Sequence, residues 1–94
     1  MKVVVTGGSG KLGHWIVREL ASDFGVLNFD RTRDPRAAGG AFLAGDITDL
    51  GQVYGALAGA DAVIHAAGIP THSVAPNEVI FATNALGTFN VHEA

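Results

Sequence analysis

The stretch VVVTGGSGKLG, Val3 to Gly13, constrains this chain more than any other. A β-branched apolar run, Val3 to Val5, leads into four glycines, Gly7, Gly8, Gly10 and Gly13. The run reads as a strand buried on both faces. Lys11 to Ser22 then reads as a helix, with Leu12, Trp15, Ile16 and Leu20 on one face. A helix N-terminus presents unpaired N–H groups and partial positive charge. A diphosphate placed there needs no cationic side chain, provided that no side chain blocks its approach. Gly8, Gly10 and Gly13 fit G-x-G-x-x-G, and Gly7, Gly10 and Gly13 fit G-x-x-G-x-x-G. On either spacing an early glycine makes the turn, Gly10 admits the pyrophosphate, and Gly13 lets the helix pack against the sheet. A P-loop is excluded. G-x-x-x-x-G-K-[ST] needs glycine and a hydroxyl where Val5 and Leu12 stand.

The rest of the chain continues the alternation. Gly25 is expected to end the first helix. Val26 to Phe29 reads as the second strand, ending at Asp30. Asp30 stands where a carboxylate accepts hydrogen bonds from a ribose diol, which favours NAD because it repels a 2′-phosphate. Arg31 and Arg33 follow at once, and a pair of guanidinium groups offers NADP a clamp instead. DRTRDPRAAGG reads as an exposed loop that crosses to a third strand, Ala41 to Ala44. A helix is expected from about Leu50, capped by Thr48 or Asp49. Ala62 to His65 is the fourth strand, and Pro76 opens a long helix running to Ala94. Strands alternating with helices predict an α/β fold with a parallel sheet.

Composition removes several function classes. The chain is 48% hydrophobic and 16% charged, which is not the balance of a disordered segment. Its net charge of −3, without a basic stripe, argues against nucleic acid as a partner. Cysteine is absent, and His14, His65, His72 and His92 show no ligand-like pairing, so no metal site is expected. The N-terminal apolar run is too short for a signal peptide or a membrane span. A cytoplasmic protein is the expectation.

With Thr6 included, TGGSGKLG resembles the T-G-x-x-G-x-x-G opening of the short-chain dehydrogenase/reductase superfamily. GDITD, from Gly45 to Asp49, is similar to the acidic element that meets adenine in that superfamily. HAAGIP resembles a strand end of its extended branch, the NAD-dependent epimerase/dehydratase group. NALGTFNVHEA, from Asn84, resembles that branch's N-x-x-G-T-x-N-[VL]-x-E-A helix. The resemblance implies a Rossmann-type sheet of order 3-2-1-4 with flanking helices, residues 1–94 forming its N-terminal part. It implies that Gly7, Gly10 and Gly13 form the phosphate turn, with the backbone of Lys11 and Leu12 at the pyrophosphate. Asp30 and Arg31 would hold the adenosine ribose, Asp46 the adenine amino group, and Ile47 would cover the ring. Ala66, Ala67 and Gly68 would pass the ribose and nicotinamide, with Asn84 near the cofactor.

The resemblance also implies chemistry that the residues do not supply. The family uses a Tyr-x-x-x-Lys pair as its acid or base. Here Tyr54 is followed four residues on by Ala58, and the lysines are Lys2 and Lys11. No catalytic residue is therefore assigned. The expectation is the NAD-binding part of a longer oxidoreductase acting on a nucleotide sugar or related polyol, truncated before its catalytic half. A homodimer through the C-terminal helix is also implied. The alternative is a non-catalytic NAD(H)-binding or interaction module. An open edge at the fourth strand would make the isolated chain marginal and prone to associate.

Overall fold

The computed structural model describes residues 1–67 and 87–93. Strands β1 (Lys2–Thr6), β2 (Gly25–Asp30), β3 (Ala41–Ala44) and β4 (Ala62–His65) form one sheet. The sheet is parallel at each pairing, in the order β3-β2-β1-β4. Helix α1 (Gly13–Ala21) joins β1 to β2, and α2 (Leu50–Leu57) joins β3 to β4. Helix α3 spans Gly87–Glu93, within the stretch for which the sequence predicts a helix. Residues 68–86, which include Gly68 and Asn84, lie outside the described residues. Among the described residues no helix is long and apolar enough to cross a membrane.

Successive residues of a strand face opposite sides of a sheet, so a strand buried on both sides must be apolar throughout. Val3, Val4 and Val5 meet that demand, all 3% exposed or less. Val3 and Val5 join Val26 and Val17 on the α1 side. Val4 joins Phe29, Ile47, Val53 and Ala56 on the α2 side. Asp49 caps α2 as expected of an acidic N-cap, its carboxylate accepting from Gln52 N at 3.0 Å. Asn90 Nδ2 of α3 donates to the Ile47 carbonyl at 3.0 Å and is buried, tying α3 to the segment after β3.

The start, end and inner face of α1 differ from the sequence expectation. The helix begins at Gly13 rather than Lys11, because residues 11–12 still belong to the turn. It ends at Ala21, and Gly25 opens β2 instead, its N–H donating to the Met1 carbonyl. Gly13, His14 and Val17 are buried, whereas Leu12 and Trp15 are more than half exposed. The glycine turn draws Gly13, His14 and Val17 inward, while Ile16 and Leu20 pack, partly buried, against the cluster around Val17 as the sequence predicts. Trp15 instead packs beside the Arg18 guanidinium, 5.2 Å from the ring centre, and the His14 ring.

Phe29 is the largest fully buried side chain. Phe29→Ala should cost about 3–5 kcal/mol, a large share of the roughly 5–15 kcal/mol of a small domain. Urea unfolding followed by circular dichroism checks this. Phe29→Leu should lose much less, and equal losses would show that the ring's volume does not matter.

Candidate functional site

The strand ends converge on a cleft of about 290 Å³. Gly7, Ser9 and Gly10 line it from the β1–α1 turn, and Phe29, Asp30, Arg31 and Thr32 from the end of β2. Gly45 and Ile47 come from beyond β3, and Ala66 and Ala67 from beyond β4. The cleft lies where the strand order reverses: from β1 the chain runs outward to β2 and β3, then crosses back to β4 on the other side of β1. That is the switch point at which open parallel sheets take ligands.

The turn is built by exclusion of side chains. Gly7 has φ +72°, a left-handed conformation that favours glycine. A Cβ there would also stand 2.6 Å from Ala67 Cα. A Cβ on Gly8 would overlap the Asn28 carboxamide, and one on Gly13 would overlap the Gly7 carbonyl. Gly13 thus brings the helix against the turn itself, rather than against a strand as the motif's usual account has it. A Cβ on Gly10 would touch only the Gly7 carbonyl oxygen, at 3.3 Å, and Gly10 is exposed. It is the position at which a ligand can approach the backbone.

The turn's hydrogen bonds leave its outward amides free. Gly10 N donates to the Gly7 carbonyl, and His14 N donates to the Gly10 carbonyl. The N–H groups of Lys11, Leu12 and Gly13 have no backbone partner among the described residues. His14 Nδ1 also reaches the Gly10 carbonyl, at 2.9 Å, so this nitrogen carries the proton. A buried histidine therefore fastens the turn to the first helical residues.

Asp30 holds the other wall. Its Oδ2 accepts from Ser9 N at 3.0 Å, and its Oδ1 accepts from Arg31 N at 2.7 Å. Each oxygen retains a lone pair for a ligand hydroxyl. Asp46 accepts from Thr48 N at 2.9 Å and Thr48 Oγ1 at 2.7 Å. These two bonds, with a smaller contribution from the Arg31 charge, hold its carboxyl below the usual 3.8, against the effect of burial. Arg31 Nη2 lies 3.5 Å from Asp46 Oδ2, both side chains being largely solvated, so the pair adds little stability. At the end of β4, His65 Nδ1 and Thr6 Oγ1 are 2.6 Å apart, and burial with the nearby His92 pushes His65 below 6.5. This histidine is engaged with the strand beside it.

Of the residues singled out from the sequence, Gly7, Gly10, Asp30, Arg31, Ile47, Ala66 and Ala67 meet in the cleft. Lys11, Leu12, Gly13 and Asp46 do not line it. Gly68 and Asn84 lie outside the described residues. Ser9, Phe29, Thr32 and Gly45 line the cleft without having been picked out. Gly45 had a readable signal, a glycine directly after a strand. A Cβ there would overlap the Phe29 ring.

This geometry agrees with what the chain is similar to. Residues 3–94 match the NAD dependent epimerase/dehydratase family. The chain belongs to that family. A 2-alkyl-3-oxoalkanoate reductase from Stenotrophomonas maltophilia is 36% identical over 94 residues, which cover 97% of this chain and 28% of the relative. A uronate dehydrogenase variant from Agrobacterium tumefaciens, complexed with NAD, superposes with a TM-score of 0.83 at 29% identity, over 98% of this chain and 35% of that one. A UDP-glucose 4-epimerase from Brucella ovis, in complex with NAD, gives 0.86 at 25% identity, over 98% and 31%. The chain therefore spans about a third or less of the length of these relatives.

The Asp46 arrangement has a testable consequence. Because its folded-state pKa is depressed, the stability it contributes is present above pH 3.8 and is lost as pH falls through the folded value. Thr48→Val removes one donor and should move the Asp46 midpoint up toward 3.8, as followed by carboxyl-carbon NMR. An unchanged midpoint would show that the hydroxyl bond is not formed in solution.

Proposed function

We propose that this chain binds NAD, with the diphosphate on the Gly7–Gly13 turn and the adenosine ribose at Asp30. The observation that carries this reading is that Gly7, Gly10 and the Asp30 carboxylate line one cleft, directly before the α1 N-terminus, where the N–H groups of Lys11, Leu12 and Gly13 have no backbone partner among the described residues. A dinucleotide fits those groups. Its diphosphate needs N–H donors without side-chain obstruction, and its ribose diol needs an acceptor. Ala66 and Ala67 present small side chains toward the remaining length of the ligand. Asp46 and Ile47 are assigned to the adenine end, Lys11 and Leu12 contribute backbone, and Gly13 supports the turn. Gly68 and Asn84 keep the nicotinamide-side roles that the family resemblance implies. When bound, NAD supplies a hydride acceptor.

The preference for NAD over NADP rests on Asp30. Its carboxylate repels a 2′-phosphate, and the Arg31 guanidinium lies toward Asp46. We further infer that the chain is the cofactor-holding part of an oxidoreductase or epimerase acting on a nucleotide sugar or related polyol. Support comes from the uronate dehydrogenase and UDP-glucose 4-epimerase likenesses. In this reading residues 1–94 hold the cofactor, while the proton-transferring pair is supplied elsewhere. Tyr54 faces Ala58 at the lysine spacing, and its hydroxyl donates to the Glu93 carbonyl.

Calorimetric titration of NAD and NADP tests the proposal. NAD should bind more tightly than NADP. Asp30→Ala should weaken NAD by about 1.5–3 kcal/mol, or roughly 10–100-fold, the range for hydrogen bonds to a charged group. Tighter binding of NADP would transfer the ribose site to Arg31 and Arg33. No binding of either nucleotide would overturn the reading.

A further inference from the structure

Asn28 is a buried polar residue that does not line the cleft described above. It sits on β2, whose other inward residues are apolar, and is 3% exposed. Its Nδ2 donates to Ser9 Oγ at 3.1 Å. Its Oδ1 is buried without a hydrogen-bond partner among the described residues. The glycine turn rests directly on this carboxamide, since a Cβ on Gly8 would overlap it.

The end of β2 therefore holds the turn at three successive residues. Asn28 holds Ser9 through its side chain, the Phe29 carbonyl accepts from Gly7 N at 2.9 Å, and Asp30 accepts from Ser9 N. Ser9 is gripped twice, at its hydroxyl from below and at its amide from the ribose wall. A serine hydroxyl has one proton and two lone pairs. With Asn28 donating to the oxygen, the proton remains for an acceptor. Ser9 lines the cleft beside Gly7 and Gly10, the residues to which the NAD-binding reading assigns the diphosphate.

We propose that Ser9 is a further diphosphate-binding residue and that Asn28 is the positioning residue that orients it. This rests on the NAD-binding reading above. The Asn28 amide supplies the donor, so the Ser9 hydroxyl must turn its own proton outward. A carboxylate or an apolar group at position 28 would not impose that direction. The orientation also accounts for a polar residue at a buried strand position where an aliphatic one would pack.

The test measures NAD and adenosine affinities by calorimetry on the 94-residue protein, alongside thermal melting. Ser9→Ala, which takes the acceptor from the buried Asn28 amide, should lower the melting temperature while leaving the protein folded, and weaken NAD about tenfold, as expected for one hydrogen bond to a charged group. Asn28→Ala should weaken NAD to a similar degree. The double variant should bind NAD no more weakly than either single variant, because both act through one hydroxyl. Adenosine, which lacks the diphosphate, should bind all four proteins alike. Wild-type NAD affinity in Ser9→Ala would overturn the proposal even if Asn28→Ala failed to fold. Losses that multiply in the double variant would also overturn it, by giving Asn28 a role independent of Ser9. Absence of NAD binding to the wild type would instead overturn the parent reading, and this inference with it.

Discussion

The structure depends on backbone crowding at the turn between β1 and α1. Gly13 lies against the Gly7 carbonyl, Gly7 against the backbone of Ala66 and Ala67, and Gly8 against Asn28. Three segments distant in the chain meet where no Cβ can be accommodated. Close-packed interiors do not absorb even one added carbon without displacement. The turn thus decides how near α1 comes to the sheet, and from this follows which residues of α1 are buried. Val17 enters the core beside Val3 and Val5, while Trp15 is left at the surface.

The same crowding produces the binding surface. A chain of net charge −3 is a poor electrostatic host for a diphosphate if side chains alone are considered. The anion-binding capacity lies in backbone amides and in the helix dipole, both independent of side-chain charge. In the proposed NAD-binding reading, the acidic side chains serve the neutral parts of the ligand. Asp30 offers lone pairs to hydroxyl groups while its hydrogen bonds to Ser9 N and Arg31 N hold it in place. In the proposed reading, recognition is divided between a backbone cradle for charge and a carboxylate for the diol.

Much of this was legible in the residues. Val3 to Val5 as a two-sided strand, Ala62 to His65 as β4 and Asp49 as the cap of α2 each follow from a local rule. The order 3-2-1-4 came with the family resemblance, and the sheet has it. Of the residues that gather in the cleft, Gly7, Gly10 and Asp30 were recognisable as glycines and an acid at fixed offsets, whereas Ile47, Ala66 and Ala67 came with the family resemblance. Ser9 and Asn28 were not recognisable. A serine among glycines looks like loop composition, and an asparagine in VLNFD looks like an interruption of the strand. Their significance is a contact across nineteen positions. The inner face of α1 was misjudged for a related reason. Hydrophobicity alone puts Leu12 and Trp15 inside with Ile16 and Leu20; the last two do pack on the core, but beside the tight turn Gly13, His14 and Val17 are the buried residues.

The sequence by itself determined that a strand runs into a glycine-rich turn and a helix, and that an acid ends the next strand. These are local properties: steric bulk, backbone freedom and periodicity along a few residues. Tertiary structure alone decided that Gly7 takes the left-handed conformation, that Gly13 meets the turn rather than a strand, and that Asn28 grips Ser9. Those outcomes depend on which backbone segments approach one another across the sheet. Such distances are set by the packing of all four strands and the two helices that connect them, not by any single stretch of the chain.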